Sequence, residues 1–242
     1  MLLVALAATG CEFDGGTSAD AKPASTASTG GTAAKPGSAL AALNALPVKG
    51  RAPKTGYVRT GKFGPAWSDS TTAPGSRNGC DTRNDILRRD LVNVTGKDGS
   101  ACVVAAGTLP ADPYTGKRID FVRGRTTSMA VQIDHVVALS DAWQKGAQQI
   151  SQPQREALAN DPLNLIAADG PANQQKSDAD AASWLPANKS YRCTYVARQI
   201  AVKTKYELWV TAAEREAMQR VLNICPAQAL PGEQSAGVAV KP

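Results

Sequence analysis

The chain has 242 residues, 43% of them hydrophobic and only 5% aromatic, with a formal net charge of +6. Enough apolar surface is present to close a core, which excludes a wholly disordered chain, and the positive balance favours polyanionic partners such as nucleic acid or an anionic envelope surface. A single histidine and the lack of any CxxC pair exclude the common structural and catalytic zinc ligand sets.

In chain order, the opening "MLLVALAATGCEFDGG" carries an apolar run too short to span a bilayer. It reads as a signal peptide over residues 1–10, and "LAATGC" resembles a lipoprotein site that would free Cys11 for lipidation. A plain signal peptide with an incidental cysteine is the alternative. Residues 12–39, rich in Gly, Ser, Thr, Ala and Pro, cannot bury enough surface to order themselves and read as a linker. The folded unit is expected over residues 40–226, with 227–242 as a loose tail. Lys49, Arg51, Lys54, Arg59 and Lys62 then precede any acid of that unit, interleaved with Tyr57 and Phe63. Such an arm can track a phosphate backbone, or can lie solvated with its aromatics packed on the domain.

Further along, "DTRNDILRRDLVNV" predicts a short helix, "SACVVAAG" a buried strand, and "LPADPYTGK" a turn-rich connection. A strand ends near His135 in "RTTSMAVQIDHVVAL". "SDAWQKGAQQI" and "PQREALAN" read as helices, the second with Pro153 in its first turn. "LNLIAA" is a short apolar strand, and "PANQQKSDAD" opens a further helix. "NKSYRCTYVARQIAVKTKY" and "TAAEREAMQRVLNIC" close the unit as helices, the last with Thr211 and Glu214 in capping-box spacing. Trp143 and Trp184 read as core. Setting Cys11 aside, four cysteines remain, an even number that suits two disulfides in an exported chain. Three pairings are possible, and the shortest loops favour Cys80–Cys102 with Cys193–Cys225.

The chemistry concentrates around "QIDHVVALSDAW" and "NLIAADGPANQQKSD". Phosphodiester hydrolysis needs a base for water, positive charge on the phosphate oxygens and a group that orients the base. The lone His135 is the natural base, and Asp134 beside it offers a hard oxygen for Mg²⁺ or Mn²⁺. Adjacent strand residues face opposite sides, so a bend or strand end is needed for both to serve one site. Taken singly, each residue has a structural reading: a packed histidine, a capping aspartate, a turn asparagine at 164 and a helix-end asparagine at 173.

Taken together, "DHVVAL" followed by Asn164 and Asn173 resembles the HNH endonucleases and their ββα-metal finger. The wider pattern "CDTRNDIL…C…DPYTGK…IDHVVALSDAW…NDPLNLIA…NQQKSD…WLP…C" is similar to an exported branch related to the C-terminal domain of GmrSD-type restriction enzymes, over about residues 57–225. The resemblance implies an α+β fold, with the finger embedded in a mostly helical, disulfide-stapled domain. It implies His135 as general base, Asn164 as the residue holding its ring, and Asp134 and Asn173 as ligands of one divalent ion. Lys176 would contact substrate phosphate. Apart from the resemblance, Arg83 and Asp81 beside Cys80 read either as a structural ion pair or, for Arg83, as an auxiliary phosphate-binding residue of the site. Three features depart from the family pattern: the long connection from His135 to Asn164, Asn rather than His at position 173, and Ala138 where proline often stands.

The expected function is a metal-dependent endonuclease acting on DNA, with RNA as a second substrate, held by its lipid at the outer face of a membrane. The competing readings are a non-catalytic lipoprotein that binds nucleic acid or envelope on the same scaffold, and a different metal-dependent hydrolase using the same pair.

Overall fold

The computed structural model describes residues 34–232. The expected signal peptide, the Cys11 lipidation site, most of the linker and the end of the tail lie outside the described residues. Ser38 caps the first helix, α1 (Ala39–Ala45), by accepting from the Ala41 amide. The chain on either side of this cap pairs with the far end of the molecule: Ala39 N–H donates to Gln228 O at 2.8 Å and Leu230 N–H to Gly37 O at 3.2 Å. The folded unit therefore extends past the expected limits of 40 and 226, into part of the assigned linker and tail.

A one-turn helix, α2 (Arg59–Phe63), ends the basic arm. Helix α3 (Thr82–Asp90) follows, capped by Asp81. It leads into β1 (Val92–Gly96), β2 (Val104–Leu109) and β3 (Ile119–Val122), an antiparallel sheet in the order β1-β2-β3. Strands β4 (Val131–His135) and β5 (Leu165–Asp169) form a separate antiparallel pair, with His135 opposite Leu165 and Val131 opposite Asp169. Helix α6 (Gly170–Lys176) leaves β5 without a gap. A Cβ at Gly170 would collide with the Met129 carbonyl oxygen, so glycine lets α6 lie against the entry to β4.

The connection between β4 and β5 holds α4 (Leu139–Ala142) and α5 (Gln152–Asn160). The stretch expected as one helix after β4 breaks at Gly146, whose φ is 126° and whose missing side chain admits Leu208 and Trp209. The Ser151–Gln154 capping box and Pro153 start α5 as the spacing requires. Helices α7 (Arg192–Lys205) and α8 (Ala212–Leu222) close the fold, α8 through the Thr211–Glu214 capping box. Disulfides join Cys80 to Cys102 and Cys193 to Cys225, the pairing with the shortest loops.

Three apolar clusters carry the packing: one under α1, α7 and α8, one around α4, α5 and Trp143, and one between α3, β2 and the β4–β5 pair. Trp143 is buried as expected, whereas Trp184 is only partly buried at the edge of the first cluster. Between the clusters sits a buried ionic network. Lys145 Nζ contacts Asp141, Asp180 and Glu214 at 2.6–2.9 Å. Lys203 reaches Glu214 at 3.0 Å, and Arg51 of the arm reaches Asp141 and Asp180 at 2.8 Å. Buried charges persist only when paired this fully. Arg51 is thereby a structural clasp for the arm.

Candidate functional site

An open cleft of about 680 Å³ lies over the end of β4 and the side of α6. Asp134, His135 and Asn173 all line it, and Arg83 faces it from α3. Because His135 is the last residue of its strand, side chains from both faces of β4 reach one cleft. A second groove of similar volume runs beside Trp184, Arg192 and Arg220, but no acid or histidine lines it.

His135 is buried, and its Nε2 lies 2.8 Å from the Ala159 carbonyl oxygen. A carbonyl only accepts, so Nε2 carries the proton and Nδ1 keeps its lone pair. Burial, then the nearby Arg59 charge, lowers the imidazole pKa to about 3, which keeps the ring neutral at physiological pH. Trp67 stacks on the ring at 5.8 Å between centroids.

Asn164 is fully buried, and its hydrogen bonds go to backbone groups, not to the ring. Its Oδ1 accepts from Val137 N–H at 2.8 Å, and its Nδ2 donates to Val137 O and Leu158 O at 3.3 and 3.2 Å. It therefore pins the exit from β4 to the end of α5, one residue before the carbonyl that holds the imidazole. Arg89 and Arg198 fix the turn that presents it, donating to the carbonyls of Pro162 and Leu165 at 2.6–2.8 Å.

Asp134 is buried, and burial raises its carboxyl pKa against the opposing pull of Lys176 and Tyr114. The Tyr114 hydroxyl donates to Oδ2, and Lys176 Nζ lies 3.0 Å from each carboxylate oxygen. The same ammonium donates to His135 O at 2.8 Å. Lys176 is 0% exposed and does not line the cleft, so the substrate-phosphate contact expected of it is corrected. It lies on the buried side of α6 and holds Asp134. Asn173 donates through Nδ2 to Gln132 Oε1 at 2.9 Å, which leaves its amide oxygen to accept or ligate. Arg83 donates to Val131 O at 3.3 Å from the cleft wall.

Tyr114, Trp67 and the Ala159 carbonyl escaped sequence reasoning. Tyr114 sits in "DPYTGK", where Asp112 accepts from the Tyr114 and Thr115 amides. The other Asp112 oxygen accepts from Asp169 N–H at 2.8 Å, which ties that turn to β5. A buried-capable aromatic inside a turn motif was the only available signal.

A family match places the domain in a nuclease-related class. The family model described as GmrSD restriction endonucleases, C-terminal domain, matches residues 81–221, more than half of the chain, and the chain belongs to that family. An "Uncharacterized secreted protein" of Arthroderma benhamiae is 42% identical over 185 residues, covering 76% of this chain and 82% of the relative. A secreted relative and two disulfides both fit export. Among the described residues, no helix is long and apolar enough to cross a membrane.

Proposed function

We propose that the protein is an exported, metal-dependent endonuclease of HNH type, with β4, β5 and α6 acting as the ββα-metal finger. The observation that carries this reading is an imidazole held through Nε2 by a backbone carbonyl, which leaves Nδ1 its lone pair, on a residue that lines the same cleft as Asp134 and Asn173. His135 takes the proton of the attacking water at Nδ1 while Ala159 O holds Nε2–H, which fixes ring and tautomer. Asn164 sets the distance between strand end and α5, and therefore the direction of the imidazole. Arg83 contributes positive charge at the wall for the phosphodiester.

The donor set fits a hard divalent ion in kind. One carboxylate and one amide oxygen suit Mg²⁺ or Mn²⁺, which draw remaining ligands from water and substrate. Among the described residues, no group of three or more His, Cys, Asp and Glu side chains could hold an ion, so Asp134 and Asn173 would be the protein's share. When bound, such an ion supplies charge neutralisation at the phosphate and leaving oxygens.

The substrate is DNA, with RNA as a second candidate, recognised through its backbone. Attachment to the outer face of a membrane through Cys11 rests on the sequence around that residue.

The decisive experiment is plasmid nicking by the purified, disulfide-intact protein with Mg²⁺ or Mn²⁺, against a chelator control and His135→Ala. Metal-dependent nicking that vanishes in the variant establishes the reaction and its base. Nicking that persists in His135→Ala refutes the mechanism. One observation favours a second reading, a nucleic-acid-binding scaffold without turnover: Lys176 already neutralises Asp134. Under it, the protein binds DNA but cuts nothing with either ion.

A further inference from the structure

We propose that Arg59, in the arm that precedes the family-matched residues 81–221, binds the substrate phosphate beside His135. The inference rests on the nuclease reading for its substrate class, but on separate residues for its geometry. Arg59 is exposed and lines the cleft together with Asp134 and His135. It also borders a small hollow lined by His135, Trp67 and Ala159. Among the described residues it makes no ion pair, whereas Arg51 and Lys54 of the same arm each hold a carboxylate.

The charge of the cleft lining leaves Arg59 unopposed. Its acids are Asp134 and Asp178, and both are already engaged, by Lys176 at 3.0 Å and by Lys54 at 3.1 Å. Its cations are Arg59 and Arg83. Two guanidiniums and two ammoniums against two carboxylates leave two positive charges in the cleft that His135 lines. An anion of phosphodiester chemistry supplies what is missing.

The arm is also fixed rather than trailing. Phe63 is 1% exposed in the cluster around α4 and α5, and Tyr57 packs on Phe63 and Trp143 at 6.2 Å. Gly64 turns the chain at φ 71°, with Glu156 filling the space where a side chain would stand. Trp67 holds a left-handed conformation at φ 60°, uncommon for a bulky residue, while stacked on His135. Arg59 is thus presented from a packed turn, the preorganised setting in which a guanidinium discriminates a phosphate from bulk anions.

The test is fluorescence anisotropy with a short labelled DNA duplex, and an RNA strand of equal length, using full-chain protein in chelator so that nothing is cut. Arg59→Ala is expected to weaken binding about tenfold or more and to lower the salt slope by about one. Arg59→Lys should recover part of the loss, and Lys62→Ala, whose ammonium lies over Trp143, should bind like the parent. Equal binding by Arg59→Ala and the parent overturns the assignment while leaving the nuclease reading intact. Equal losses in Arg59→Ala and Lys62→Ala overturn it too, since only bulk charge would be acting. Arg59-dependent binding by a protein that nicks nothing removes the nuclease reading and keeps the clamp. No binding by the parent removes both.

Discussion

Replacing Lys176 with methionine tests how the buried half of the site is held. The substitution keeps the aliphatic stem and removes an ammonium lying 3.0 Å from both Asp134 oxygens and 2.8 Å from His135 O. The lysine side chain is 0% exposed and the aspartate side chain 7%, so water cannot replace the lost partner. Breaking such a pair costs about 3–5 kcal/mol, because the remaining charge stays buried. The Tyr114 hydroxyl still donates, which places the expectation near the lower figure. Burial already raises the Asp134 carboxyl pKa and Lys176 opposes the rise, so the variant lifts it further. A carboxyl whose folded pKa exceeds its unfolded value stabilises below the unfolded pKa and loses that contribution as pH rises. The deficit against the parent should therefore be largest near neutrality and shrink towards about pH 4. Urea unfolding with disulfides intact, across that range, reads both effects. Adding Asp134→Asn to Lys176→Met should recover much of the loss. A deficit under about 1 kcal/mol, or one constant with pH, would refute the reasoning. The same variant reports on the ion: if ammonium and cation compete for Asp134, it binds Mn²⁺ more tightly than the parent by electron paramagnetic resonance.

Asn164→Ala leaves the Val137 amide and two carbonyls without their partner, a cost of about 3 kcal/mol, and should slow nicking while sparing DNA affinity. An unchanged nicking rate would separate that asparagine from the imidazole. For His135, a folded pKa of about 3 against the ordinary 6.5 means the unfolded chain binds more protons between those values. Its contribution is complete above pH 6.5 and falls away as pH drops towards 3, by about 4–5 kcal/mol in all. Unfolding free energies of parent and His135→Ala should accordingly converge on acidification, and parallel pH profiles would sink the burial argument. The disulfides close loops of 22 and 32 residues by sequence separation, so replacing either pair with alanines should cost about 3–4 kcal/mol by chain entropy. A melting temperature that fails to fall would show that the unfolded chain is restricted by other means.

How much of this was legible follows from the range of the interactions. Local patterns announced α3, β2, β4, α5, β5 and the two closing helices, the last of them capped, since caps and apolar period act within a few residues. Strand β3 was missed because "IDFV" is four residues long and only Phe121 is fully buried. The end pairing of residues 37–39 with 228–230 was missed because main-chain bonds across that distance leave no mark on composition. In the site, Asp134, His135 and Asn173 were readable as a spaced set, and all reach the cleft. Lys176 was not. A helical repeat places it one turn after Asn173, but its depth depends on Asp134 and on the His135 carbonyl, both over forty positions away. Arg59 was visible only as one charge among five.

The long connection between His135 and Asn164, a departure when viewed as spacing, has a physical use. The last carbonyls of a helix have no partner within it. Leu158 and Ala159 lie in the last turn of α5, and their carbonyls accept from Asn164 Nδ2 and from His135 Nε2. A tight hairpin between β4 and β5 would offer neither acceptor. Here the inserted helix returns with two oxygens aimed at the strand end, and its capping box fixes where it starts and hence where those oxygens fall. The extra length thus supplies the group that orients the imidazole, which under the proposed nuclease reading is the third requirement of the chemistry, and it does so from the backbone, where no side-chain motif could announce it.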